Sequence, residues 1–170
     1  MSNWPDGIFR VLLTHDVCQI AYVPDAGHTR LIELCRDEPA MMAVPLTTEE
    51  EGVSLLAGAW LGGQRGALLM QSSGVGNCIN MLGLTQSCRF PLLIIATMRG
   101  QWQEFNPWQE PMGAAAAAVL SAMGVGIYEV DRPEHVEGTV QNAAVAAFTG
   151  EKAEAVLLHQ KLMPVKTFGK

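Results

Sequence analysis

Charge is what this sequence has least of. Asp, Glu, Lys and Arg make up only 16% of its 170 residues, against about 25% in an ordinary soluble domain. A surface that poor in charge is expected to be partly covered by another subunit. The charge present sums to −6, which leaves no basic face for nucleic acid. Cysteine pairs are missing too: Cys18, Cys35, Cys78 and Cys88 form no C-x-x-C and no zinc-like spacing with histidine. Reduced, structural thiols in a cytoplasmic protein are expected instead. No basic and apolar leader opens the chain, and every apolar run is broken by Arg, Gly or Ser before membrane length, so no membrane partner is expected.

Two nucleotide signatures are also absent. The segment "SSGVGN" (72–77) would need Gly at position 79 to read G-x-G-x-x-G, and that residue is Ile79. No G-K-[ST] follows it, so it is not a phosphate loop.

What is present is an alternation. Short apolar runs at 18–24, 40–45, 66–71, 91–98, 126–130 and 153–159 have the continuous hydrophobicity of strands buried on both faces. Helical patterns lie between them at 28–38, 48–62, 76–87, 112–123 and 133–148. This order predicts one α/β domain over 1–170, three layers deep, with a six-stranded, mainly parallel sheet. Nothing in composition divides it. Ligands of such folds sit beyond the carboxyl ends of the strands, and the unusual residues are concentrated there.

The second of those loops runs into "TTEEEGVSLLAGAW" (47–60), three carboxylates opening an apolar helix. Helix-start chemistry accounts for two of them, since Thr48 and Glu51 fit a capping box and acids suit the positive end of the dipole. Glu50 is left over. "SSGVGN" joins a strand to a helix, a setting where backbone amides can hold a polar ligand; a tight turn needing glycine is equally consistent with it. His28 lies at a helix start, where a cap and a proton-handling group are both open readings. His15 precedes the first strand and could face the same edge. His135 and His159 are read as structural. The 16-residue connection "MRGQWQEFNPWQEPMG", with Arg99, Trp102 and Trp108, is long for a compact domain, which points to function or an interface.

"EEEGVSLLAGAWLGGQRGALLMQSSGVGN" resembles the pyrimidine-binding domain of thiamine-diphosphate enzymes. There, a glutamate followed two residues later by a small residue leads through a strand to a Ser/Gly-rich, Asn-ending turn. The resemblance covers essentially the whole chain. Within the family it is similar to the alpha subunits of sulfopyruvate decarboxylase and the matching half of phosphonopyruvate decarboxylase. Placing Gly52 and "AGAWL" on the pattern puts the family glutamate at Glu50, with Trp60 where tyrosine is usual.

The resemblance implies thiamine diphosphate as cofactor, with Ser73, Gly74, Gly76 and Asn77 beside it and the Glu50 carboxyl on the pyrimidine N1′. That contact makes the ring's exocyclic nitrogen basic enough to take a proton. His28 and His15 become candidates to give a proton or bind the substrate carboxylate, and Arg99 to hold an anionic tail of a small 2-oxo acid. The family's G-D-G…Asn motif for Mg²⁺ and diphosphate is absent; "PDG" at 5–7 is not it. A separate beta subunit carrying that domain and the Mg²⁺ is therefore expected, in an α₂β₂ assembly or a multiple of it. The activity implied is non-oxidative decarboxylation to an aldehyde. A carboligase subunit and a non-catalytic scaffold are the alternatives.

Overall fold

The computed structural model describes residues 3–165. Six strands form one sheet in the order β2-β1-β3-β4-β6-β5, and every neighbouring pair is parallel. They are β1 (Val17–Tyr22), β2 (Met42–Pro45), β3 (Arg65–Gln71), β4 (Leu92–Thr97), β5 (Gly126–Val130) and β6 (Ala153–Leu158). Parallel pairing requires crossovers that cover both faces of the sheet. The helices α2 (Thr29–Asp37), α3 (Glu49–Leu61), α4 (Ser72–Ser87), α5 (Glu110–Ala122) and α6 (Pro133–Gly150) provide them. β4 and β6 are buried at every position, the polar Thr97 and Glu154 included.

One core layer joins α2 and α6 to Ile20, Leu69, Ile95 and Val156; the other joins α3, α4 and α5 to Ala21, Leu68, Ile94 and Leu157. The first layer also contains a helix the sequence reading left out, α1 (Trp4–Thr14), which buries Ile8, Val11 and Leu12. Pro5 and Gly7 give this segment the look of a turn. Proline in the first helical turn costs no hydrogen bond, however, and the i, i+3, i+4 apolar spacing then wins. Its outer face pairs Arg10 with Glu137 and Asp6 with Arg30.

Adjacent strands β1 and β3 send their following helices to opposite faces of the sheet, α2 to one and α4 to the other. That divergence opens a crevice at the carboxyl ends of the two strands, the place where open α/β sheets bind ligands.

Candidate active site

Helix α3 is positioned by a stripe at i, i+3, i+4, i+7: Glu49, Gly52, Val53 and Leu56 are its buried residues. Glu49 therefore belongs to the face that packs on the sheet. Its side chain lies against the first turn of α4, where a Cβ at Gly74 would collide with the Glu49 carboxyl group. Asn77 Nδ2 donates to Glu49 Oε2 at 2.8 Å. Helix α4 begins directly at Ser72, so Gly74 and Gly76 are helical residues and not turn glycines. Gly74 is needed for close approach. Beneath it Cys78 is an inert thiol, pushed up to about 12 by burial and by the nearby charges of Glu49 and Glu50.

The carboxyl group beside Gly74 and Asn77 is thus that of Glu49, the neighbour of the Glu50 singled out in the sequence. Glu50 is exposed on the flank of α3, one position off the stripe. Glu51 is exposed as well and accepts from the Thr47 amide at 2.9 Å. The expected capping box does not form, because the Thr48 side chain makes no cap bond and Glu51 takes the Thr47 amide instead of the Thr48 one.

A second cluster lies across the crevice. Asp25, just past β1, accepts four hydrogen bonds. Oδ1 receives Gln71 Nε2 at 3.0 Å and Arg99 Nη2 at 3.1 Å; Oδ2 receives Thr97 Oγ1 at 2.7 Å and the Gly27 amide at 3.0 Å. Burial alone would raise the Asp25 pKa. The bonds from Thr97 and Gln71 and the charge of Arg99 outweigh it and hold the carboxyl below its usual value. Gln71 Oε1 in turn receives Ser73 Oγ and Gln109 Nε2. Arg99 is 4% exposed, its amide donates to Ser72 Oγ, and its Nε hydrogen is buried without a partner among the described residues. The carboxyl ends of β1, β3 and β4 are thus tied into one polar network.

The long connection is ordered around Glu104 and Gln160. Glu104 accepts from the Gly100 and Asn106 amides, while Gln160 Oε1 accepts from the Gln101 and Trp102 amides and its Nε2 donates to Glu104. Trp102 lies under the Lys161 ammonium at 5.2 Å, and Trp108 is largely exposed.

His28 does lie at the start of α2, as the sequence suggested, but His15 does not share its edge of the sheet. His28 is wholly buried, with Nε2 shared between the Met70 and Ile95 carbonyls at 3.2 and 3.1 Å. Burial lowers its pKa and keeps it neutral. It underlies the Asp25 cluster and does not open to the crevice. His15 precedes β1, at the amino ends of the strands, with its ring 6.3 Å from that of Phe148. That is the opposite edge from Glu49, because parallel strands place the residues before β1 far from the loops after it. Of the residues singled out in the sequence, Gly74 and Asn77 surround Glu49. Ser73 and Arg99 belong to the Asp25 network, while Gly76 lies against Met112. Asp25, Gln71, Thr97 and Gln109 were missed. Asp25 carried one available signal, its place immediately after an apolar strand.

Known proteins resemble this chain over most of its length. Residues 3–114 match the family described as thiamine pyrophosphate enzyme, N-terminal TPP binding domain. Sulfopyruvate decarboxylase subunit alpha of Methanococcus maripaludis is 31% identical over 157 residues, covering 92% of this chain and 94% of that one. The subunit of the same name from Methanocaldococcus jannaschii is 33% identical over 138 residues, 81% and 82% of the two chains. Phosphonopyruvate decarboxylase of Streptomyces viridochromogenes is 40% identical over 106 residues, 61% of this chain and 27% of that longer one. In fold, the chain superposes on 2-oxoglutarate:ferredoxin oxidoreductase from Magnetococcus marinus with a TM-score of 0.71 at 12% identity, over 95% of this chain and 29% of that one. The chain belongs to the thiamine pyrophosphate enzyme family and corresponds to its N-terminal, cofactor-binding domain.

Proposed function

We propose that this chain is the alpha subunit of a thiamine-diphosphate-dependent 2-oxo acid decarboxylase, and that Glu49, not Glu50, is the carboxyl group that meets the pyrimidine N1′. The observation that carries the assignment is the seating of Glu49: buried, pressed on Gly74, and fixed through Oε2 by Asn77. A carboxyl group held that way can keep one geometry while sharing a proton with a ring nitrogen, as acid–base catalysis requires. The bound cofactor supplies a carbon nucleophile for the substrate carbonyl and an electron sink for the departing carbon dioxide.

The chain's own residues divide into two groups. Glu49, Gly74 and Asn77 orient the ring, and the exposed first turn of α4, with Ser73 and Gly76, offers it polar contacts. Arg99, buried at the carboxyl end of β4, holds an anionic part of a small 2-oxo acid. Trp102 and Trp108 cover the mouth or meet the partner. His28 acts from below, as packing under the Asp25 cluster, and His15 takes no part. A beta subunit provides the diphosphate and Mg²⁺ side. Support comes from relatives named as alpha subunits that match this chain over most of their own length, and from the lack of a G-D-G motif in the sequence.

The test is to co-purify the chain with the product of the neighbouring reading frame and assay the pair against a panel of 2-oxo acids with thiamine diphosphate and Mg²⁺. Aldehyde and carbon dioxide in equal amounts are expected. A condensation product would favour a carboligase, and no turnover of any acid would favour a scaffold subunit.

A further inference from the structure

A cavity of about 550 Å³ lies at the amino ends of β1 and β3, on the edge of the sheet opposite Glu49 and Arg99. Small-molecule sites usually fall within roughly 300–1,000 Å³. Leu13, Val17 and Met41 give it an apolar wall, and Asp16, Gln64 and Arg65 a polar one. The half-buried Arg65 guanidinium is held in place from two sides. Its Nη1 donates to the His15 carbonyl at 2.9 Å, and the group sits over the Phe148 ring, 5.2 Å from its centroid. Among the described residues its Nε–Nη2 edge has no partner, and that edge is not sealed from solvent. Asp16 closes α1: its amide donates to the Leu13 carbonyl at 3.1 Å, and its φ of 54° is a left-handed value that aspartate tolerates. Asp16 is exposed and stands at the carboxyl end of α1, where the helix dipole is negative. Among the described residues, neither Asp16 nor Arg65 belongs to an ion pair, with each other or with any third group. One cavity therefore offers a cation and an anion that do not neutralise each other by contact.

We propose that this cavity is a binding site for an α-amino acid with an apolar side chain. The open edge of Arg65 takes the carboxylate through two parallel N–H bonds, as the planar guanidinium group favours. Gln64 Oε1 accepts from Gln19 Nε2 at 2.8 Å, which leaves Gln64 Nε2 to donate to the same carboxylate. Asp16 and the carboxyl end of α1 take the ammonium group, while Leu13, Val17 and Met41 receive the side chain. A ligand with one charge alone leaves the opposite group of the protein unanswered, so the zwitterion is preferred to a simple carboxylate or amine. β1 is six residues long, about 20 Å at the usual rise of a strand, so an occupant of this site does not reach the crevice. The site is thus separate from the decarboxylase chemistry and does not rest on that reading.

The experiment titrates the full chain, assembled with its partner subunit, by calorimetry with L-leucine and three truncated probes. These are 4-methylpentanoate, which lacks the ammonium group, 3-methylbutylamine, which lacks the carboxylate, and glycine, which lacks the side chain. Leucine is expected to bind on the order of tenfold more tightly than each of them, the usual weight of a hydrogen bond to a charged group. Asp16→Asn, which the left-handed backbone accepts, should weaken leucine about tenfold and leave 4-methylpentanoate unchanged or tighter. Arg65→Gln should weaken both of these and spare 3-methylbutylamine. If Arg65→Gln does not fold, Asp16→Asn and the probe series decide alone. No binding of leucine, equal binding of leucine and 4-methylpentanoate, or an unchanged leucine affinity in folded Asp16→Asn overturns the proposal. So does displacement of leucine by a 2-oxo acid, which would place it in the crevice. Failure of every 2-oxo acid to turn over would defeat the functional reading without moving these ratios, because none of the probes is required to react.

Discussion

A single period of the helix decides which glutamate is buried, and the proposed catalytic role follows that burial. Glu49 shares a stripe with Gly52, Val53 and Leu56, and that 3, 4, 7 spacing was readable in the sequence; matching the family pattern by Gly52 pointed to its neighbour Glu50 instead. The Asp25 network was not readable in the same way. Its side-chain partners come from 46 to 74 residues away, and only the meeting of three strand ends brings them together. Gly74→Ala should displace the Glu49 carboxyl and lower turnover by roughly 10²-fold with little change in fold, since positioned acid–base groups contribute about that much or more; unaltered turnover would mean that the seating is irrelevant. His28 makes a prediction about pH. Its folded pKa lies below the ordinary 6.5, so its contribution to stability is complete above pH 6.5. It is lost as the pH falls from there toward the folded value, because the unfolded chain takes up the proton first. Asp25, also lowered, from 3.8, adds a second loss at lower pH. Denaturant midpoints should drop between neutrality and mild acid, and His28→Gln should flatten the drop. A midpoint independent of pH over that range would contradict the assignment of His28 as buried and neutral.

Among elements, the strands were the most legible, because a segment buried on both faces must be apolar throughout. All six runs correspond to β1–β6 within two residues at each end. Helix starts were harder. α1 was hidden by Pro5 and Gly7, and α4 begins four residues earlier than its glycines suggested. The long connection after β4 contains no repeating pattern at all; its order comes from side chains that replace backbone partners. Gln160 supports the Gln101 and Trp102 amides and anchors Glu104. Gln160→Ala should remove the partners of the partly buried Gln101 and Trp102 amides, at a cost of about 0.5–1.5 kcal/mol. Hydrogen exchange at Gln101 and Trp102 should accelerate while β4 stays protected. Equal exchange in the variant would show that the loop is held by something else.

At the scale of the whole molecule, several large apolar side chains of α3, α4 and the long connection lie at the surface. Leu61 is 88% exposed and Trp108 74%, Ile79 is exposed as well, and nothing lies over Gly58. Obligate interfaces resemble a core cut in half, so this region is the expected seat of the beta subunit. The chain alone should bind thiamine diphosphate weakly and associate with itself in light scattering. Co-expression should give a defined hetero-oligomer that binds the cofactor with Mg²⁺. A stable monomer with tight cofactor binding would argue against a divided site. The central claim, however, is the identity of the reacting carboxyl, and the most direct measurement is turnover of Glu49→Gln beside Glu50→Gln in the assembled enzyme. The account predicts a loss of roughly 10²–10⁴-fold for Glu49→Gln and a near-normal rate for Glu50→Gln; the reverse order would contradict it.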